Sequence, residues 1–257
     1  MIDPGTPPGE DRLVGADRVL AVLRLLAERP EGVGLEEMAR AVGSPKPTAH
    51  RALAALRRAG LAVQDGRGRY LLGDEFLRLA FTHHEARPDH VRIRPALERL
   101  AARFGETAHY AVLDGHEVVH RAKVDPPSGP VRLTSTVGGR NPAHSTGVGK
   151  LLLAWTLPDD AAVAAWARAA PLERRTARTR TGLAELCAEL AAVRERGHAL
   201  DDQENEEGVT CVAVPAFLTS ATTPSGAVSV SALAYRTPLT SLVEALPDIH
   251  AIVKELR

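Results

Sequence analysis

The chain has 257 residues, with 32 basic side chains against 32 acidic ones, 44% apolar residues and 2 cysteines. At about 100–200 residues per domain this length holds one large domain or two small ones, and an ordinary apolar fraction at zero net charge excludes a mainly disordered chain. Cys187 and Cys211 are too few for a disulfide scaffold and fit a reduced, cytoplasmic setting. Residues 1–12 carry neither the basic nor the apolar stretch of a secretory signal and read as a disordered tail, and no run of 18 apolar residues predicts a membrane span.

From residue 13 onward one hydrophobic spacing recurs three times. Val19, Val22, Leu23 and Leu26 stand at i, i+3, i+4 and i+7, as do Leu35, Met38, Ala39 and Val42, and then Ala49, Ala52, Leu53 and Leu56. Each set is the buried stripe of an amphipathic helix. Arg29-Pro30-Glu31-Gly32 and Gly43-Ser44-Pro45 separate the stripes; Ser44 reads as the N-cap of the third helix with Pro45 at its first position, and Gly60 ends it. Leu61–Gln64, the turn Asp65-Gly66-Arg67-Gly68 and Arg69–Leu72 predict a hairpin. Three short helices followed by a hairpin make a winged helix-turn-helix over residues 13–73.

The charge is segregated within the neutral whole. Between Ser44 and Gly73, Lys46, Arg51, Arg57, Arg58, Arg67 and Arg69 face only Asp65, whereas residues 201–207 read DDQENEE. At 100° per residue, Pro47, Arg51, Ala54 and Arg58 point away from the stripe of the third helix, with Thr48 and His50 on its flanks. Such a face enters the major groove with its N-terminal turns. Arg51 is the candidate for bidentate contact with guanine, worth about 1–3 kcal/mol of discrimination. Pro47, Thr48 and His50 suit thymine methyls or acceptors, Ser44, Lys46 and Arg58 border the helix among the phosphates, and Arg67 and Arg69 ride on the wing. The partner these residues predict is double-stranded DNA.

Residues 74–88 predict a linker helix, with Phe76, Leu79 and Ala80 on one side, and a domain boundary near Pro88; a second helix follows over Val91 to Phe104. A lone winged helix reads only one short half-site, so a helix that pairs with its twin would supply the other. From Thr107 the period becomes alternating. Thr107–Leu113 and Glu117–Val124 read as a hairpin, Val131–Ser135 as a third strand, and His198–Leu200, Val209–Pro215 and Ala227–Ala234 as further strands. Helices are predicted over Pro158–Ala169, Leu183–Arg196 and Leu242–Leu256. Residues 89–257 thus read as an α+β domain with a mostly antiparallel sheet.

Two motifs here point toward chemistry. His116-Glu117-Val118-Val119-His120 spells H-E-x-x-H, the signature of zinc-dependent hydrolases. That signature needs a helix, and the alternating valines after an Asp-Gly turn predict a strand, in which the histidines stand about 13 Å apart and share no ion. An enzyme using His116, Glu117, His120 or His144 is therefore the alternative, and no catalytic, metal or cofactor site is assigned. Gly147-Val148-Gly149-Lys150 lacks the remaining glycine and the hydroxyl residue of a Walker A loop. Ser145 or Thr146 caps the helix that runs through Leu151–Ala154, leaving the Gly147 and Val148 amides in its first turn, where an anion such as a carboxylate is favoured; plain capping accounts for the same residues.

The set as a whole resembles the IclR family of bacterial transcription regulators. The resemblance runs from about Leu13 to the C-terminus. It rests on Ser44-Pro45-Lys46-Pro47-Thr48-Ala49-His50-Arg51, on the stretch Gly138–Lys150, on Glu207-Gly208-Val209-Thr210-Cys211-Val212-Ala213 and on Gly226-Ala227-Val228-Ser229-Val230-Ser231. It implies a winged helix-turn-helix, a linker helix and a GAF-like effector domain, assembled as a homodimer or homotetramer on a palindromic operator. It implies a repressor or activator without catalytic activity, responsive to a small metabolite, often a carboxylate. By these motifs the effector pocket comprises Leu133, Asn141, Gly147, Val148, Asp201, Val209, Cys211, Ser229 and Ser231. Ser229 and Ser231 stand two apart on a strand and share a face, and Leu133 with Val209 supplies apolar wall. Asn141 departs from the branched apolar residue that members often carry, which leaves ligand size and polarity open. Cys211 has no basic neighbour that would make it a reactive thiolate.

Overall fold

The computed structural model describes residues 15–85, 88–127 and 133–255, so the expected N-terminal tail lies outside the described residues. The chain divides into two compact units, residues 1–86 and 87–257. No described helix is long and apolar enough to cross a membrane.

The first unit contains α1 (Gly15–Glu28), α2 (Leu35–Ala41), α3 (Lys46–Arg58), the antiparallel pair β1 (Ala62–Gln64) and β2 (Tyr70–Leu72), and α4 (Asp74–Glu85). Val22, Leu26, Met38, Ala39, Ala49, Ala52, Leu53 and Leu56 meet in one core, with Ala62 and Tyr70 closing it from the hairpin. Val33 bridges to Tyr70, tying the chain between α1 and α2 to the wing. Gly60, at φ +72°, lets α3 stop in a Schellman turn: its own N–H reaches the Arg57 carbonyl at 3.0 Å, and that of Leu61 reaches Leu56 at 2.9 Å.

The start of α3 differs from expectation. Pro45, not Ser44, is the N-cap, because its carbonyl begins the helical ladder by accepting from Thr48 and Ala49. The Ser44 hydroxyl instead donates to the Val42 carbonyl at 3.3 Å and accepts from Arg18 Nε at 3.0 Å. Pro47 costs nothing in the first turn, where its missing N–H would have had no partner.

The second unit is a sheet between two helical layers. Its strands are β3 (Thr107–Asp114), β4 (Glu117–Val124), β5 (Arg140–Pro142), β6 (Ala199–Asp202), β7 (Val209–Ala216) and β8 (Gly226–Leu233), in the order β5-β4-β3-β8-β7-β6, every pair antiparallel. α5 (Pro88–Phe104), α9 (Leu239–Glu244) and α10 (Leu246–Lys254) cover one face. α6 (Gly147–Thr156), α7 (Asp160–Ala169) and α8 (Leu183–Arg196) build the core on the other. Alternation in β8 shows the division: Val228 and Val230 enter the first core, while Ala227 packs in the second and Ser229 and Ser231 continue that face beyond it.

Three expected elements change. Val131 and Arg132 lie outside the described residues, and Leu133–Ser135 is not a strand. The edge of β4 that such a strand would occupy is taken by β5, with Val118 opposite Asn141, and by Gly138 and Gly139, which pair with the His120 backbone. The terminal helix is two helices, because Ala245 closes α9 and opens α10 with Pro247 in its first turn. The strand expected at His198 begins at Ala199 and runs to Asp202.

Candidate functional site

Two sites follow, one in each unit. On α3, Lys46, Pro47, His50, Arg51, Arg57 and Arg58 are exposed, opposite the buried stripe, and Thr48 is half-buried. Among the described residues the Arg51 guanidinium makes one hydrogen bond, donating to Thr48 Oγ1 at 3.4 Å. Lys46 pairs with Glu36 at the surface. The wing is ordered from within: the Asp65 carboxylate accepts from the amides of Arg67 and Arg69 at 2.9 and 2.8 Å. Arg67 is exposed there. Arg69 is placed differently, its guanidinium donating to the carbonyls of Glu31 (3.1 Å) and Gly32 and stapling the wing to the α1–α2 connection.

The second site is a cavity of about 270 Å³ where the helical layer of α6 meets the end of the sheet. All nine residues expected in the effector pocket line it: Leu133, Asn141, Gly147, Val148, Asp201, Val209, Cys211, Ser229 and Ser231. Its geometry starts from α6. Thr146 is the N-cap, its Oγ1 accepting from the Gly149 amide at 3.1 Å, which leaves the Gly147 and Val148 amides as first-turn donors. Ser145 holds the preceding 3-10 turn (Ala143–Ser145) by donating to Asn205 Oδ1 at 3.2 Å. Neither glycine of the turn admits a side chain. A β-carbon at Gly149 would sit 2.1 Å from the Ala143 carbonyl oxygen.

Behind this turn lies a charge cluster that sequence reasoning missed. Lys150 is fully buried, its Nζ 2.5 Å from Glu204 and 3.3 Å from Glu189 on α8. Arg180 reaches Glu204 at 2.6 Å, and Arg196 reaches Glu189 at 2.8 Å. The acidic run that begins at the end of β6 therefore folds inward at Asp201 and Glu204. Gln203 between them takes a left-handed φ of 63°, and Thr179 Oγ1 donates to the Glu204 carbonyl at 2.7 Å. Burial pushes the Asp201 carboxyl up to about 7, against the pull of the Lys150 charge and the Glu204 amide, which donates to it at 2.7 Å. Burial and the neighbouring Asp201 push the Cys211 thiol up to about 12, so it is a pocket wall rather than a reactive thiolate.

Also missed were His109 and His120, which form part of the lining. Their rings lie 4.8 Å apart by centroid. His109 projects from β3 opposite Ser229, with Nε2 2.8 Å from Ser135 Oγ and Nδ1 3.5 Å from the hydroxyls of both Ser229 and Ser231. His120 reaches the same face by alternation with Val118, opposite Ala111, and a bulge follows it: Tyr110 pairs with Ala122, leaving Arg121 extra. The bulge turns Ala122 into the α5 core while His120 stays on the cavity side. Burial holds both imidazoles below their ordinary range, His120 at about 4, so both are neutral. Alternation places His109 with Ala111 and His120 with Val118, and this was the available signal for both; nothing in the sequence marks the bulge.

The H-E-x-x-H motif is taken apart by this geometry. His116 is in the turn before β4, stacked on Trp166 with centroids 4.5 Å apart, and its Nε2 donates to the Trp166 carbonyl at 2.8 Å. Glu117 pairs with Arg140 at 2.9 Å. His144 donates from Nε2 to the Glu173 carbonyl at 2.9 Å. Among the described residues no group of three or more His, Cys, Asp and Glu side chains is arranged to hold a metal ion.

A winged helix-turn-helix with a cationic outer face, joined in one chain to a domain with a partly open cavity of mixed polar and apolar lining, defines a DNA-binding regulator. The profile of the bacterial transcriptional regulator IclR C-terminal domain matches residues 90–256, and that of the IclR helix-turn-helix domain matches residues 15–66. The chain belongs to the IclR family, whose members are transcriptional regulators and not enzymes. It is 34% identical over 204 residues to the HTH-type transcriptional regulator KdgR of Dickeya chrysanthemi, covering 78% of this chain and 65% of that protein. To the glycerol operon regulatory protein of Streptomyces coelicolor it is 32% identical over 244 residues, 93% of this chain and 91% of the other. The crystal structure of the Thermotoga maritima IclR shares the fold with a TM-score of 0.75 at 25% identity, covering 93% of this chain and 95% of that one.

Proposed function

We propose that this regulator is a cytoplasmic repressor that reads a palindromic operator as a homodimer or homotetramer and releases or rearranges on it when a small carboxylate enters the cavity. In this reading residues 13–73 contact DNA, residues 74–88 join the two parts and residues 89–257 hold the effector. Arg51 reads base edges, supported by Pro47, Thr48 and His50, while Ser44, Lys46, Arg58 and Arg67 border the phosphates; Arg69 acts by holding the wing. The observation that carries the sensing half is the first turn of α6, which offers the Gly147 and Val148 amides at the wall of a cavity lined by polar and apolar side chains together. A carboxylate at that turn gains hydrogen bonds and the favourable end of the helix dipole. Ser229, Ser231 and Asn141 supply further polar contacts, and Leu133, Val209 and Cys211 the apolar wall.

The test is selection of duplexes from a random pool by the full-length protein, followed by binding to the selected duplex with and without a panel of carboxylates. The reading expects an inverted repeat among the selected sequences. It also expects a carboxylate that changes duplex affinity in the wild type and not in Val148→Trp, where the added ring fills the cavity. A coupling of about 1–3 kcal/mol corresponds to a several-fold to hundredfold change. Absence of any selected motif, or an identical ligand response in Val148→Trp, would refute it.

A further inference from the structure

We propose that His109 and His120 are the specificity-determining residues of the cavity, and that they select a small aliphatic acid whose second polar group is an uncharged oxygen, a hydroxyl or a carbonyl. This rests on the reading of the cavity as the effector site and assigns its far wall.

His120 is buried, at 6% exposure, and its Nδ1 has no hydrogen-bond partner among the described residues. Its other nitrogen is engaged: the Asn141 amide group stands 3.2 Å from Nε2. An amide N–H donating to Nε2 makes that nitrogen the acceptor, so the neutral ring carries its proton on Nδ1. A buried N–H without an acceptor costs free energy that a ligand oxygen recovers. His109, at 3% exposure, is held by Ser135 on one side and by Ser229 and Ser231 on the other, which fixes its ring 4.8 Å from that of His120.

The rest of the lining narrows the chemistry. Among the described residues no phenylalanine, tyrosine or tryptophan lines the cavity to stack on an aromatic ring. A volume of about 270 Å³ is below the roughly 300–1,000 Å³ of drug-sized sites. A second carboxylate at the imidazoles would need a counter-charge: both rings are neutral, and the cations at or near the cavity are already paired, Lys123 with Asp125, Arg140 with Asp114 and Glu117, and Arg175 with Glu173. The carboxylate then belongs at the first turn of α6, and an uncharged oxygen at the histidine pair.

The experiment uses the full-length protein and matched probes at equal concentration: lactate against propionate, 3-hydroxybutyrate against butyrate, gluconate against hexanoate, with glutarate and 4-hydroxybenzoate alongside. Thermal shift screens them, and calorimetry measures those that bind. The expected result is an oxygenated probe bound at least about tenfold more tightly than its unsubstituted partner. His120→Leu should abolish that discrimination and His120→Gln, which keeps an N–H donor, should retain part of it; His109→Leu should weaken it. Circular dichroism confirms that each variant is folded. Preference for an unsubstituted acid, glutarate or 4-hydroxybenzoate overturns the proposal, as does discrimination that survives in His120→Leu. If such a probe binds and is lost in Val148→Trp, the cavity remains the effector site and only its selectivity has been misassigned. If no probe binds, both the proposal and the carboxylate site fall.

Discussion

The sulfur of Cys211 occupies the space beside Gly147: a β-carbon built on that glycine would lie 2.8 Å from Sγ and 3.5 Å from the Ala213 methyl. The N-terminus of α6 thus approaches β7 as closely as a bare backbone allows. Gly147→Ala should destabilise the second unit by about 1–3 kcal/mol, the usual cost of overpacking. Cys211→Ala in the same chain opens the space and should recover most of that loss. Urea unfolding of the two single variants and the double variant measures the coupling; strictly additive effects would show that the two groups do not compete.

Lys150 locks the same helix from behind. With no exposed surface, it faces Glu204 and Glu189. Lys150→Met leaves two buried carboxylates short of a cation, a change that typically costs about 3–5 kcal/mol. Arg180 and Arg196 remain beside them and place the expected loss toward the lower end. Glu204→Gln introduced together with Lys150→Met should cost less than the sum of the two, and equal or greater cost would remove the pair from its anchoring role.

The elements and their order were legible in the sequence because burial on one face enforces a period. The three stripes of the first unit and the alternation of β3, β4, β7 and β8 require no long-range information. The nine expected pocket residues were legible through family resemblance, and their convergence on one cavity is geometry that spacing alone does not supply. What stayed hidden depended on pairing. The bulge at Arg121 follows from how β4 registers against β3, and it decides that Ala122 leaves the cavity face for the α5 core. The run after β6 reads as surface charge until Lys150 and Arg180 are seen to draw Glu204 inward. Ser44 has the chemistry of a cap, and only its tertiary contact with Arg18 shows it committed elsewhere.

Asp201 makes stability depend on pH. Its carboxyl moves from an ordinary 3.8 to about 7 in the folded chain, so folding favours the protonated form. That contribution is fully present below about pH 4 and is lost as pH rises through about 7. Its upper limit, for the whole difference, is about 4 kcal/mol. Asp201→Asn keeps an oxygen for the Glu204 amide and cannot ionise. The stability of the wild type relative to this variant should therefore fall between about pH 4 and pH 7 and level off above. Urea midpoints across that range measure it, and parallel profiles would mean that Asp201 does not titrate there.

On the DNA-facing side, three arginines should behave in three ways. Arg51 is exposed and hydrogen-bonded only to Thr48, so Arg51→Ala should leave the melting temperature unchanged. It should cost about 1–3 kcal/mol of preference for the selected duplex over a scrambled one. Under the proposed reading, in which Arg58 meets a phosphate, Arg58→Ala should weaken both duplexes alike, lowering the salt slope by about 1. Arg69→Ala should lower the stability of the first unit, because its guanidinium ties the wing to the carbonyls of Glu31 and Gly32. Anisotropy titrations of both duplexes at several salt concentrations, alongside thermal unfolding, separate these outcomes. A uniform loss in Arg51→Ala would demote it to a phosphate contact, and unaltered binding would remove it from the interface.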